Sequence, residues 1–200
     1  MISINPQKLT GAWDEGFVLD VHTLSSSLIG YDEFGHEMFD TKRSALGELL
    51  YKLKYGTDKS VLNDILDTVV EFLLNRWKVV QSLDLIVPMP PSNLSRRSQP
   101  VLELARGLSS RTGVPMSEAA LVKAKETPQL KNVYGYEERA RILNEAFEAR
   151  SSLVQGKTVL LLDDLYRSGA TLNAASQALR QRGKAKTIYV LALTRTRSKT

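Results

Sequence analysis

The residues with the clearest capacity for chemistry lie between positions 158 and 172, in the order Thr-Val-Leu-Leu-Leu-Asp-Asp-Leu-Tyr-Arg-Ser-Gly-Ala-Thr-Leu. Asp163 and Asp164 are acceptor-only when ionised, so the pair suits a vicinal diol or a hydrated magnesium ion. Just beyond them, Arg167, Ser168, Gly169, Ala170 and Thr171 form a short polar turn whose amides can curl around an anion. Ser168 and Thr171 add hydroxyl donors, and Gly169 lets the backbone approach closely. Each hydrogen bond to a charged group contributes about 1.5–3 kcal/mol, so several converging on one phosphate outweigh a helix-dipole effect of about 0.3–1 kcal/mol. A diol next to a phosphate describes a ribose 5-phosphate. The plainer alternative is a strand-to-helix turn whose acids only cap the helix.

The elements that must position these groups are legible on either side. Residues 158–162 are apolar or β-branched without alternation, which predicts a strand buried on both faces of a parallel sheet. The polar turn predicts that this strand ends at the acids. Both could reach one sugar only if it does, because successive strand side chains point to opposite faces. A helix is expected from near Ala170, with Leu172, Ala175, Ala178 and Leu179 on one face and Gly183 as its stop. Its first turn would aim unsatisfied N–H groups at the same anion. In open α/β sheets, ligands bind at such carboxyl ends of central strands.

Residues 159–171, VLLLDDLYRSGAT, resemble the phosphoribosyl pyrophosphate (PRPP) motif of type I phosphoribosyltransferases. No G-x-x-x-x-G-K-[ST] and no G-x-G-x-x-G occurs. The resemblance implies an α/β fold with a mainly parallel central sheet flanked by helices, plus an N-terminal hairpin and helical appendage acting as a hood. It implies a pentosyltransferase that moves ribose 5-phosphate from PRPP to an acceptor and releases pyrophosphate. Asp163 and Asp164 would be the catalytic acids, holding the ribose hydroxyls or, partly through water, Mg2+. Arg167 to Thr171 would hold the 5′-phosphate. In the hypoxanthine-guanine branch the first position of this loop is normally acidic and helps proton transfer. Arg167 is always protonated, which disfavours a 6-oxopurine acceptor. Over residues 39–195 the chain is most similar to ComF-type proteins, which commonly carry a cysteine-rich zinc ribbon upstream; this chain contains no cysteine. ComF-type proteins are linked to DNA uptake, so a non-catalytic PRPP or nucleotide sensor is the competing reading.

Two further segments carry anion-binding potential. Residues 83–87 predict a buried strand, ended by Pro88, Pro90 and Pro91 and followed by a basic loop, 92–99, and a helix over 100–112. This arrangement resembles the ComF pyrophosphate loop, which implies Arg96 and Arg97 as pyrophosphate contacts; arginine's planar fork meets phosphate oxygens two at a time. Residues 121–125 predict a short strand, 126–135 a long connection, and 137–149 a helix with Ala140, Leu143 and Phe147 inward. Their family counterpart is a flexible lid, which implies that Lys125, Gln129 and Lys131 reach the pyrophosphate on closure. Arg139 and Arg141 read as ion-pair partners on a helix surface. A last strand is expected over 187–194, with a solvated basic tail after it.

Upstream, residues 17–29 and 37–39 predict strands around the turn 30–35. Thr41 or Ser44 can cap a helix to Tyr55 with Leu46, Leu49, Leu50 and Leu53 on one face, and a second apolar stripe runs from Val61 to about Trp77. Residues 39–56 resemble the helix that precedes the ComF core. Lys54 on it reads first as a solvated helix lysine, with a role at the site as the alternative. These elements suggest a division into an appendage, 1–78, and a phosphoribosyltransferase core, 79–200. Asp20, His22 and His36 lack a metal-like spacing and read as packing or surface groups.

Composition sets outer limits. The net charge of +5 suits a polyanionic small molecule or weak attraction to nucleic acid without choosing between them. No apolar run approaches the roughly 20 residues of a membrane helix, and the first residues have no basic-then-apolar signal pattern, so a cytoplasmic protein without a membrane partner is expected. The expected partners are PRPP and a small-molecule acceptor, with a homodimer left open.

Overall fold

A computed structural model describes residues 1–56, 60–91, 99–124 and 146–197. The chain begins with strands β1 (Gln7–Leu9), β2 (Glu15–Val21), β3 (Thr23–Tyr31) and β4 (Glu37–Arg43), followed by helices α1 (Ala45–Tyr55) and α2 (Val61–Glu71). A π-type turn, Phe72–Arg76, extends α2. Then come β5 (Leu85–Pro88), α3 (Pro100–Thr112), β6 (Leu121–Lys123), β7 (Phe147–Ala149), α4 (Ser151–Val154), β8 (Thr158–Tyr166), α5 (Ala170–Gln181) and β9 (Thr187–Arg195).

A five-stranded sheet in the order β1-β2-β9-β8-β5 forms the middle of the molecule. β2, β9, β8 and β5 run parallel, and β1 closes one edge antiparallel to β2. Val159, Leu160, Leu161 and Leu162 are completely buried, as an apolar run without alternation requires. Successive residues of β8 serve opposite cores. Val159 and Leu161 pack with Leu172, Ala175, Ala178 and Leu179 of α5, whereas Leu160 and Leu162 pack with the leucines of α1, α2 and α3. The sheet is therefore covered on both faces, the arrangement parallel strands need.

α1 is fixed at both ends of its first turn. Ser44 caps it, accepting the Gly47 N–H at 3.0 Å and donating to the Val21 carbonyl at 2.5 Å. Gly47 is packed onto β2 so closely that a Cβ would stand 2.2 Å from the His22 carbonyl oxygen. The helix is thus anchored directly over the carboxyl end of β2.

Several expectations need correction. The stretch 17–29 is not one arm of a hairpin: β2 joins the main sheet, paired to β9 from Glu15↔Tyr189 to Val21↔Arg195, and only β3 forms a ribbon with β4. Through that pairing, and the packing of α1 and α2 against Leu160 and Leu162, residues before and after position 78 contribute to one sheet and one core. β8 does not end at the acids but runs through them to Tyr166, because β9 continues alongside it as far as Tyr166↔Arg195, so the two acid side chains leave opposite faces of the strand. Phe147 is inward and buried, yet it lies on β7, paired with Lys123 of β6 rather than on a helix. The start of the basic tail is tied down: Arg195 bonds Gln7, the Thr196 N–H reaches the Tyr166 carbonyl at 2.9 Å, and Arg197 reaches the Leu24 carbonyl at 2.5 Å. No helix among the described residues is long and apolar enough to cross a membrane.

Candidate functional site

β5 and β8 pair from Leu85↔Val159 to Pro88↔Leu162, and the Met89 N–H makes the last bond, to the Leu162 carbonyl at 2.8 Å. Pro90 and Pro91 follow, and they have no N–H with which to continue the ladder. β8, held by β9 on its other side, goes on alone past that point. A cleft opens there, with a volume of about 460 Å³, within the range of roughly 300–1,000 Å³ usual for small-molecule sites.

Asp163, Asp164 and all of residues 167–171 line this one cavity. Gly169 takes the left-handed conformation, φ 79° and ψ −7°, immediately before α5. The Asn173 N–H closes the first helical bond onto the Gly169 carbonyl at 2.8 Å, so the amides just before it belong to the turn without intrahelical acceptors. Arg167, Ser168, Ala170 and Thr171 are exposed, and Gly169 is buried between them. The loop thus offers an open anion cradle at a helix start.

The two acids are not equivalent. By strand alternation, Asp163 belongs to the α5 face with Val159 and Leu161, and Asp164 to the α1 face with Leu160 and Leu162. Asp163 Oδ1 accepts the Asp164 backbone N–H at 2.9 Å. Burial, and then the neighbouring Asp164 charge, push the Asp163 carboxyl up to about 8, against the opposing pull of that N–H and of Lys54. Asp164 instead meets the ammonium of Lys54, Oδ2 to Nζ 3.1 Å, with both side chains only about a quarter exposed. Its carbonyl is held by the buried Thr194 hydroxyl at 3.1 Å.

The Thr194 oxygen in turn lies 3.1 Å from His22 Nδ1. Because that hydroxyl donates to Asp164, the ring N–H is assigned to Nδ1 and the lone pair to Nε2. Burial, followed by Arg43 and Lys54, holds the imidazole below its ordinary value, opposed by Asp164. His22 is therefore a packed group beside the site. His36 belongs elsewhere, bonded to Asp32 in the β3–β4 turn.

Sequence reasoning singled out Asp163, Asp164 and residues 167–171, which line one cavity, but ranked Lys54 as a solvated lysine; the structure puts it in the same cavity wall. Its place at the end of an amphipathic helix gave no distance to the acids. Lys123 and Gln99 also line the cavity, from β6 and the start of α3. Arg96, Arg97, Lys125, Gln129, Lys131, Arg139 and Arg141 lie outside the described residues.

Residues 101–200 match the family model of the phosphoribosyl transferase domain, and the chain belongs to that family. Competence protein ComFC of Bacillus subtilis (strain 168) is 25% identical over 156 residues, which are 78% of this chain and 62% of that protein. Among solved structures, adenine phosphoribosyl transferase from Trypanosoma brucei, in complex with AMP, pyrophosphate and ribose-5-phosphate, is similar with a TM-score of 0.49 at 15% identity, over 94% of this chain and 73% of that one. Glutamine PRPP amidotransferase from B. subtilis gives 0.48 at 18% identity, over 80% of this chain and 34% of that one.

Proposed function

We propose that the protein binds PRPP in this cavity and transfers its ribose 5-phosphate to an acceptor, releasing pyrophosphate. The observation that carries the reading is the convergence of both acids and the whole 167–171 loop on one cleft. In it, the loop amides with Ser168 and Thr171 hold the 5′-phosphate, and the ribose hydroxyls lie in the cleft that the two acids line from the two sides of β8. The bond from C1 to the pyrophosphate oxygen breaks, the pyrophosphate keeps the electron pair, and the acceptor's nucleophilic atom bonds C1. Most of the catalysis in such a step is positioning and charge stabilisation.

The donor set suits Mg2+. Asp163 and Asp164 present hard oxygen ligands, and a cation bound beside Asp163 would favour its ionised form, against the burial and the Asp164 charge that push the carboxyl up to about 8. When bound, the ion would supply positive charge against the developing charge on pyrophosphate. Asp163 and Asp164 would hold it, partly through water. Arg167 cannot accept a proton, so the loop residue that would help deprotonate a 6-oxopurine is missing, and another acceptor class fits better.

A non-catalytic PRPP or nucleotide sensor is the second reading, favoured by the similarity to a protein named for competence. Incubation with PRPP, Mg2+ and pools of nucleobases or amines separates the two. Pyrophosphate release that disappears in Asp163→Asn/Asp164→Asn supports the transferase. PRPP binding without turnover across the pools supports the sensor.

A further inference from the structure

Within the acid pair, one carboxylate already has a cation. Lys54 Nζ is 3.1 Å from Asp164 Oδ2, and both groups are mostly withdrawn from water in the wall of the cleft. The placement is built in several steps. Ser44 caps α1, Gly47 seats the helix against the His22 carbonyl, and Leu46, Leu50 and Leu53 bury its inner face, which carries Lys54 to the carboxyl end of the sheet. Asp164 is equally constrained, because Thr194 holds its carbonyl and Asp163 its N–H. Asp163, one residue away, lies on the opposite face of β8, has Asp164 as a like-charged neighbour and carries no ion pair of its own among the described residues.

A divalent ion and an ammonium group compete for the same carboxylate oxygens, since each needs their lone pairs and each repels the other. We infer that Lys54 is a resident cation of the donor site: it occupies Asp164 in place of a directly bound divalent ion, so that the acid pair recruits one such ion, directly through Asp163 and only through water at Asp164, and not two. Lys54 is a positioning residue in this scheme. It fixes which carboxylate is left for the ion and keeps a positive charge beside the cleft whether or not a divalent ion is present. The inference rests on the reading of the acid pair as an ion site, and deepens it by stating the stoichiometry and the competitor.

The test is Mn2+ binding, followed by the ion's paramagnetic resonance signal and by calorimetry, on the ligand-free protein and without PRPP. Lys54→Met frees Asp164 and removes a nearby positive charge, so Mn2+ affinity should rise roughly tenfold or a second ion should bind, a scale set by one unit charge a few ångströms away in a partly screened site. Lys54→Arg keeps the charge and should stay near wild type. In Lys54→Met/Asp164→Asn the gain should vanish. A role of Lys54 in stability alone would not raise ion affinity, and thermal melting of each variant separates the two. Affinity in Lys54→Met that is unchanged or weaker, or no Mn2+ binding by either protein, overturns the inference. PRPP calorimetry on the same samples keeps the two proposals apart: loss of PRPP binding with the ion effect intact speaks against the donor reading only.

Discussion

The ring of Tyr166 lies against Gly169 so tightly that a Cβ at that glycine would stand 2.7 Å from the Tyr166 hydroxyl oxygen. The last residue of β8 thus sits against the 167–171 loop it leads into. Gly169 also has φ 79°, the left-handed region that a residue with a Cβ enters at a cost of about 1–2 kcal/mol.

Gly169→Ala should therefore lower stability by about 1–2 kcal/mol and weaken phosphate binding beyond what that loss explains, because a side chain at φ 79° strains the turn and displaces either the loop or the Tyr166 ring. Urea unfolding together with inorganic phosphate titration checks both. Phosphate affinity equal to wild type would mean that the loop shape does not matter.

Thr171 is exposed in the first turn of α5 and faces the cavity. Thr171→Val keeps the shape and removes one donor. PRPP affinity should fall by roughly ten- to a hundred-fold, the loss of one hydrogen bond to a charged group at about 1.5–3 kcal/mol, with little change in melting temperature. Calorimetry measures the first and a thermal scan the second; unchanged affinity counts against a phosphate at this helix start.

These two expectations were within reach of the sequence, and the reasons are physical. Residues 158–181 hold strand, loop and helix in one continuous segment, each with its own local pattern, and Val159 to Leu162 and the Leu172-to-Leu179 face took the places their patterns required. The pairing of β2 with β9 joins residues far apart in the chain and leaves no mark on either strand alone. The passage of β8 through both acids follows from β9 outlasting β5, a property of its neighbours. Lys54 reaches Asp164 only because α1 is docked over β2. What was local in sequence could be read, and what depended on a distant partner could not.

Asp163 gives a pH signature. Its carboxyl titrates near 3.8 when unfolded and is pushed up to about 8 in the folded, metal-free protein. Between those values the folded state keeps a proton that the unfolded state has lost. Its contribution to stability is full below the lower value and lost as pH rises through the higher one. Asp163→Asn has no such proton, so the variant should gain stability relative to wild type as pH rises from about 4 to about 8. Parallel melting curves across that range would show that Asp163 is not perturbed.

Gly47→Ala tests the docking of α1. The added methyl would meet the His22 carbonyl oxygen at 2.2 Å, a backbone atom just past β2 that also accepts the Ser44 N–H at 3.3 Å. Overpacking of this kind costs about 1–3 kcal/mol. The shift should also weaken the Lys54–Asp164 contact, which the Lys54 ammonium resonance would report in a nitrogen-labelled sample. A variant as stable as wild type would contradict the close seating of α1 on β2.

The central claim is that the cleft holds PRPP through both acids and the phosphate loop. Calorimetric titration of PRPP into the protein with Mg2+ addresses it directly. The expected result is one PRPP bound per chain, competed by ribose 5-phosphate and lost in Asp163→Asn/Asp164→Asn while the variant still melts cooperatively. Absence of PRPP binding by the wild type, or binding that survives in the double variant, would contradict it.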